Sequence, residues 1–93
     1  MKKLTEEQIA SNLQSVDGWA YNNDALEKAF AFEDFTEAFA FMTSVAVIAE
    51  ELDHHPDWSN VYNKVNIRLS THDAGGVTEK DFEFVELVEE ISV

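Results

Sequence analysis

Between Asp34 and His55 the chain carries one long amphipathic pattern, in which Phe35, Ala38, Phe39, Met42, Val45, Ala49 and Leu52 recur at three- and four-residue spacing. That period gathers apolar side chains on one face of a helix, and such a face is stable only when another layer covers it. Asp34 is placed to cap the helix. Pro56 disfavours helical geometry at the residue before it, so the helix should stop by His55. The covering layer must come from the flanking segments.

Both flanks change to period two. Ahead of the helix, Trp19-Ala20-Tyr21, a polar turn at Asn22-Asn23-Asp24 and Leu26 to Phe32 read as a hairpin. Leu26, Lys28, Phe30 and Phe32 share one of its faces; Ala25, Glu27, Ala29 and Ala31 share the other, where small residues would let a further group pack closely. Behind the helix, Trp58 to Tyr62 and Val65 to Thr71 read as two strands around Asn63-Lys64. Val65, Ile67, Leu69 and Thr71 then face one way and Asn66, Arg68, Ser70 and His72 the other.

The two ends read as helices. Thr5-Glu6-Glu7-Gln8 forms a capping box, with Leu4 and Ile9 as its hydrophobic staple, and Asp17-Gly18 closes that segment. After a Gly75-Gly76 turn, a last helix starts at Thr78, with Val77 and Phe82 as a second staple. The order is α-β-β-α-β-β-α. It predicts an α+β domain over residues 1–93, a four-stranded antiparallel sheet with three helices on one face.

Composition removes several functional classes. Ninety-three residues make one domain, and 45% apolar content with seven Phe and two Trp gives it a core. With no cysteine there is no disulfide scaffold, thiolate metal site or catalytic thiol. No apolar run approaches the roughly 20 residues that span a bilayer, and Met1-Lys2-Lys3-Leu4-Thr5 leads into no apolar signal region, so a cytoplasmic location is expected. Nineteen acidic residues against six basic ones give a net charge of −13, which repels phosphate and argues against nucleic acid or an anionic membrane as partner.

What remains is imidazole and carboxylate. His54 and His55 sit at the end of the central helix before Pro56, and His72 at a strand end before the glycine turn, all outside the apolar stripes. Ordinary imidazole exchanges protons near neutral pH, and a helix C-terminus favours its protonated form. Glu50, four residues before His54 and so on the same helical face, is positioned to pair with it. The same pattern also suits a helix end on a solvated surface. Asp81, third in the last helix, is placed to help cap Thr78 and to complement the helix dipole. Trp19 and Trp58 read as core residues. A zinc site from Glu50, His54, Glu51, His55 and His72 is the competing arrangement, but the compact H-E-x-x-H ligand motif is absent and no metal is expected. Nor is there a nucleophile elbow, a dinucleotide fingerprint or a phosphate loop.

The run from Glu50 through Asp53-His54-His55-Pro56 to Tyr62, followed by His72 and Asp81, resembles the signature of the pterin-4a-carbinolamine dehydratases. Ser70-Thr71-His72-Asp73-Ala74-Gly75-Gly76 resembles that family's substrate-contacting turn, and the likeness covers nearly the whole chain. Ala74 and Lys80 stand where animal members carry Cys and Arg. The resemblance implies the same α-β-β-α-β-β-α sandwich and dehydration of 4a-hydroxytetrahydrobiopterin to quinonoid dihydropterin and water, in recycling the cofactor of aromatic amino-acid hydroxylases. It implies His54 and His72 as acid and base and His55 as a binding residue, with Glu50 orienting His54. Asp53, Pro56, Ser70, Thr71 and Asp73 would contact the pterin, with Asp81 and Trp58 in support. No cofactor is implied; the partners are a pterin substrate, further copies of the chain in a dimer or tetramer, and a hydroxylase. The alternative is a non-catalytic module of the same fold that binds a pterin or docks on a protein such as a hydroxylase.

Overall fold

Each helix begins where a side chain answers its free backbone N–H groups. In a computed structural model that describes residues 2–92, Thr5 accepts from the Gln8 N–H and Gln8 returns a bond to the Thr5 N–H, which starts α1 (Glu6–Leu13). Asp34 accepts from the Glu37 N–H ahead of α2 (Phe35–Leu52), and Thr78 with Asp81 forms a second capping box ahead of α3 (Glu79–Ile91). Helix caps of this kind contribute about 1 kcal/mol each.

The strands are β1 (Ala20–Asn22), β2 (Ala25–Ala31), β3 (Asp57–Val61) and β4 (Lys64–Leu69), all paired antiparallel in the order β1-β2-β4-β3. Asn23 and Asp24 both have positive φ, 50° and 64°, so the first hairpin turns through a mirror-image two-residue loop that suits strand twist. The second hairpin turns at Tyr62-Asn63, one residue earlier than the sequence suggests, and Tyr62 takes φ 50°. The register puts Leu26, Phe30, Val65, Ile67 and Leu69 on the covered face, all buried. As expected, Glu27, Ala29 and Ala31 share the opposite, open face with Asn66 and Arg68, whereas Ala25, placed on it by the same alternation, is fully buried.

Two further expectations need correction. The buried side of α2 consists of Ala38, Phe41, Val45, Ile48 and Ala49, whereas Phe35 and Phe39 are about half exposed. This helix is apolar on most of its circumference, so the three-and-four spacing admits two stripes. The core uses the one that brings Phe41 onto Phe30 and Phe32, with ring centroids 4.8 and 4.9 Å away. In addition, β4 ends at Leu69: Thr71 pairs only with Gly76, and His72 lies in a short 3₁₀ turn (His72–Ala74) rather than at a strand end.

Candidate functional site

The last turn of α2 decides where the histidines point. Asp53 adopts the left-handed conformation, φ 49° and ψ 47°, and its N–H reaches the Glu50 carbonyl while the His54 N–H reaches that of Ala49. These are the paired bonds of a Schellman ending. Because the chain leaves the helix here, the four-residue spacing from Glu50 to His54 no longer means a shared face. His54 turns inward and His55 comes back over Glu50.

His54 Nε2 lies 2.5 Å from Asp81 Oδ1. The imidazole is 9% exposed and its ring stands edge-on to Phe84, so the expectation that every histidine lies clear of the core fails for His54. Asp81 is fully buried, and its other oxygen accepts from the Thr78 N–H at 2.8 Å and the Thr71 hydroxyl at 2.9 Å. The Thr71 and Thr78 hydroxyls are 2.6 Å apart. Since Thr71 gives its proton to Asp81, Thr78 donates to Thr71, and Thr78 Oγ1 accepts in turn from the Lys80 N–H. No buried side-chain nitrogen or oxygen among the described residues lacks a partner. A buried carboxylate is tolerable only in such a saturated network. With Asp81 accepting throughout, Nε2 of His54 is the donor. Asp81 therefore does two jobs at once, as helix cap and as the orienting partner of His54, and the role expected of Glu50 falls to it.

Glu50 Oε2 instead holds His55 Nε2 at 2.6 Å, with side chains 78% and 58% exposed. Beside this pair is a cleft of about 330 Å³ lined by His55, Pro56, Asp57, Arg68, Ser70 and His72. The 3₁₀ turn closed by Gly75, at φ 74°, presents His72 to it. Of the residues singled out in the sequence, His55, Pro56, Ser70 and His72 thus share the cleft wall, and His54, Thr71 and Asp81 form the bonded layer next to them. Asp53 serves the helix end, Asp73 is exposed in the turn, and Trp58 packs partly against the core. The spacing of motif residues missed Asp57 and Arg68. Strand register was the signal that could have found them, since the chain's one arginine stands opposite Asp57 at the cleft end of the sheet. Among the described residues no three His, Cys, Asp or Glu side chains group as metal ligands.

Residues 2–91 match the model of a family described as pterin 4 alpha carbinolamine dehydratase. A protein of Christiangramia forsetii, provisionally named a pterin-4-alpha-carbinolamine dehydratase, is 50% identical over 98% of this chain and 94% of its own length. One of Paraburkholderia xenovorans with the same provisional name is 50% identical over 97% and 96%. The crystal structure of a transcriptional coactivator/pterin dehydratase from Brucella melitensis superposes with a TM-score of 0.96 at 40% identity, covering 99% of this chain and 100% of that one. A pterin dehydratase-like protein identified as a RuBisCO assembly factor in the alpha-carboxysome reaches 0.66 at 25% identity, over 80% and 86%.

Proposed function

Because the chain belongs to the pterin-4a-carbinolamine dehydratase family, we propose that it dehydrates 4a-hydroxytetrahydropterins, with His54 and His72 exchanging the protons. A base takes the proton from N5, and the nitrogen lone pair forms the C4a=N5 bond as the C4a–O bond breaks. An acid protonates the departing hydroxyl, so that water and quinonoid dihydropterin leave. One imidazole gains a proton and the other loses one, and exchange through water resets the pair. Each such transfer contributes about 10²–10⁴-fold.

The observation that carries this reading is the His54–Asp81 bond within a saturated network, beside a cleft that already holds two further imidazoles. Asp81 fixes the tautomer of His54 and holds positive charge when Nδ1 gains a proton. His55, backed by Glu50, binds substrate from the cleft wall, with Ser70 and backbone groups of the His72 turn on the pterin's amide edge. The substrate would come from a cytoplasmic aromatic amino-acid hydroxylase, which leaves its pterin as the carbinolamine. Loss of carbinolamine absorbance should accelerate on adding catalytic amounts of protein.

A second reading, a binding module without catalysis, draws on the Brucella melitensis and carboxysome relatives, whose descriptions name coactivator and assembly roles. Dehydration no faster than the uncatalysed reaction would make it the better one. Either way, Phe35, Phe39 and Val47 leave apolar area exposed on α2, which suits a homodimer or tetramer. With −13 per subunit, assembly should tighten as salt rises. Light scattering that finds only monomer at high salt and high concentration would remove the oligomer.

A further inference from the structure

The open face of the sheet carries a second cavity, of about 500 Å³, that shares Asp57 and Arg68 with the histidine cleft. Strand register explains the junction. Glu27, Arg68 and Asp57 form one row across β2, β4 and β3, and Ala29, Asn66 and Ser59 form the next row of the same face. Asp57 follows His55-Pro56 directly and Arg68 is two residues before Ser70, so the first row borders the cleft and the second lies roughly 7 Å farther out. Ala29, with only a methyl group, leaves room above the floor between polar neighbours.

Arg68 is held in place before any ligand arrives. Its Nε donates to Glu27 Oε2 at 2.8 Å, and Nη2 donates to the carbonyls of Asn23 at 2.7 Å and Asn22 at 3.3 Å, which leaves Nη1 without a hydrogen-bond partner among the described residues. The Arg68 and Glu27 side chains are each 36% exposed. Among the described residues Asp57 enters no ion pair, so its carboxylate is available as an acceptor. Donors and acceptors therefore alternate along the floor. An anionic ligand would meet Glu27 and Asp57 on both sides of the guanidinium, whereas neutral hydroxyl groups can both donate and accept there.

Taking the dehydratase reading as given, we propose that Arg68 and Asp57 set substrate specificity by binding a hydroxylated side chain on C6 of the pterin, which lies over the open sheet face. C6 is bonded to N5, one of the two atoms that react. A ring seated with N5 and C4a toward the histidines must send its C6 substituent out close to them, and the shared wall opens that way onto the second cavity.

The test compares two substrates on one enzyme preparation: the 4a-carbinolamines of tetrahydrobiopterin, with a dihydroxypropyl group on C6, and of 6-methyltetrahydropterin. The wild type should favour the first in kcat/KM by about tenfold, through KM, since one or two charge-assisted hydrogen bonds are at stake. Arg68→Met should bring the ratio close to one. A ratio is independent of how much of the variant folds. Ala29→Leu, which removes no hydrogen bond and fills the floor, should lower the ratio in the same direction. A wild type that dehydrates both substrates equally well, or variants that leave its preference intact, would overturn the assignment of Arg68 while leaving the dehydratase reading standing. A wild type that accelerates neither reaction would overturn both.

Discussion

His54 lies edge-on to Phe84 with Nε2 on a fully buried carboxylate, whereas His55, the next residue, holds a carboxylate that is 78% exposed. The two ion-pair distances are nearly the same, 2.5 and 2.6 Å, but the energies behind them differ. An exposed pair is screened by water and worth about 0–1 kcal/mol, while a buried pair that loses one member strands the other at a cost of about 3–5 kcal/mol. Distance alone does not grade these contacts; the surroundings do. The buried pair is tied to folding, and the exposed pair is free to move at little cost to the fold.

Asp81→Ala should break this contrast most severely. It removes the partner of His54, the acceptor of the Thr71 hydroxyl and the returning half of the Thr78 capping box in one step. Stability should fall by about 3–4 kcal/mol, read as a urea midpoint shift at constant m-value. The kcat of whatever remains folded should fall as well, because His54 loses its fixed tautomer. An unchanged midpoint would mean that the buried pair carries no folding energy.

Substituting the two histidines separately sharpens the comparison. His54→Ala should cost about 3 kcal/mol, the low end of the range for a broken buried pair because Asp81 keeps its bonds from Thr71 and the Thr78 N–H, and should lower kcat by about 10²–10⁴-fold. His55→Ala should change stability by less than about 0.5 kcal/mol and act mainly through KM. The difference in stability follows from burial, which the place of both histidines outside the apolar stripes does not foretell. His72→Ala should resemble His54→Ala in kcat, and the double variant should be no worse than the poorer single one, because the pair serves one event. A kcat collapse in His55→Ala with His54→Ala nearly unaffected would transfer the proton role to the exposed histidine.

Sequence reading reached the features whose cause is local. Thr5 with Gln8, and Thr78 with Asp81, lie three residues apart, so each capping box is written in adjacent letters. Strand alternation fixed the faces of β2 and β4 because a slip of one residue would expose Leu26 and Ile67. Three features needed the third dimension. Phe35 and Phe39 fit the helical period as well as Phe41 and Ile48 do, and only packing against Phe30 chooses between the stripes. The turn at Tyr62 requires a positive φ that nothing in a tyrosine announces. The partner of His54 is 27 residues away, and the local rule that proposed Glu50 assumed a helix that Asp53 had already ended.

The smallest expected effect comes from the residue that separates the two histidines. Asp53 holds φ 49°, a conformation that favours glycine, and it puts a carboxylate at the negative end of α2, where the last turn contains no basic residue. Asp53→Gly relieves both penalties. It also adds freedom to the unfolded chain, which costs about 0.5–1 kcal/mol. Relief of the left-handed conformation and of the helix-end charge together exceed that cost, so the net expectation is a gain of about 0.5 kcal/mol, seen as a higher urea midpoint. The Schellman bonds of the Asp53 and His54 N–H groups are backbone bonds and survive the change, so both histidines keep their directions and kcat should hold. If the Asp53 carboxylate also binds the pterin, KM should rise while stability rises, a combination that loss of structure does not produce. A gain in stability with KM unchanged would confine Asp53 to ending the helix, and a loss of stability would show that its side chain supports the turn in some way its backbone angles do not explain.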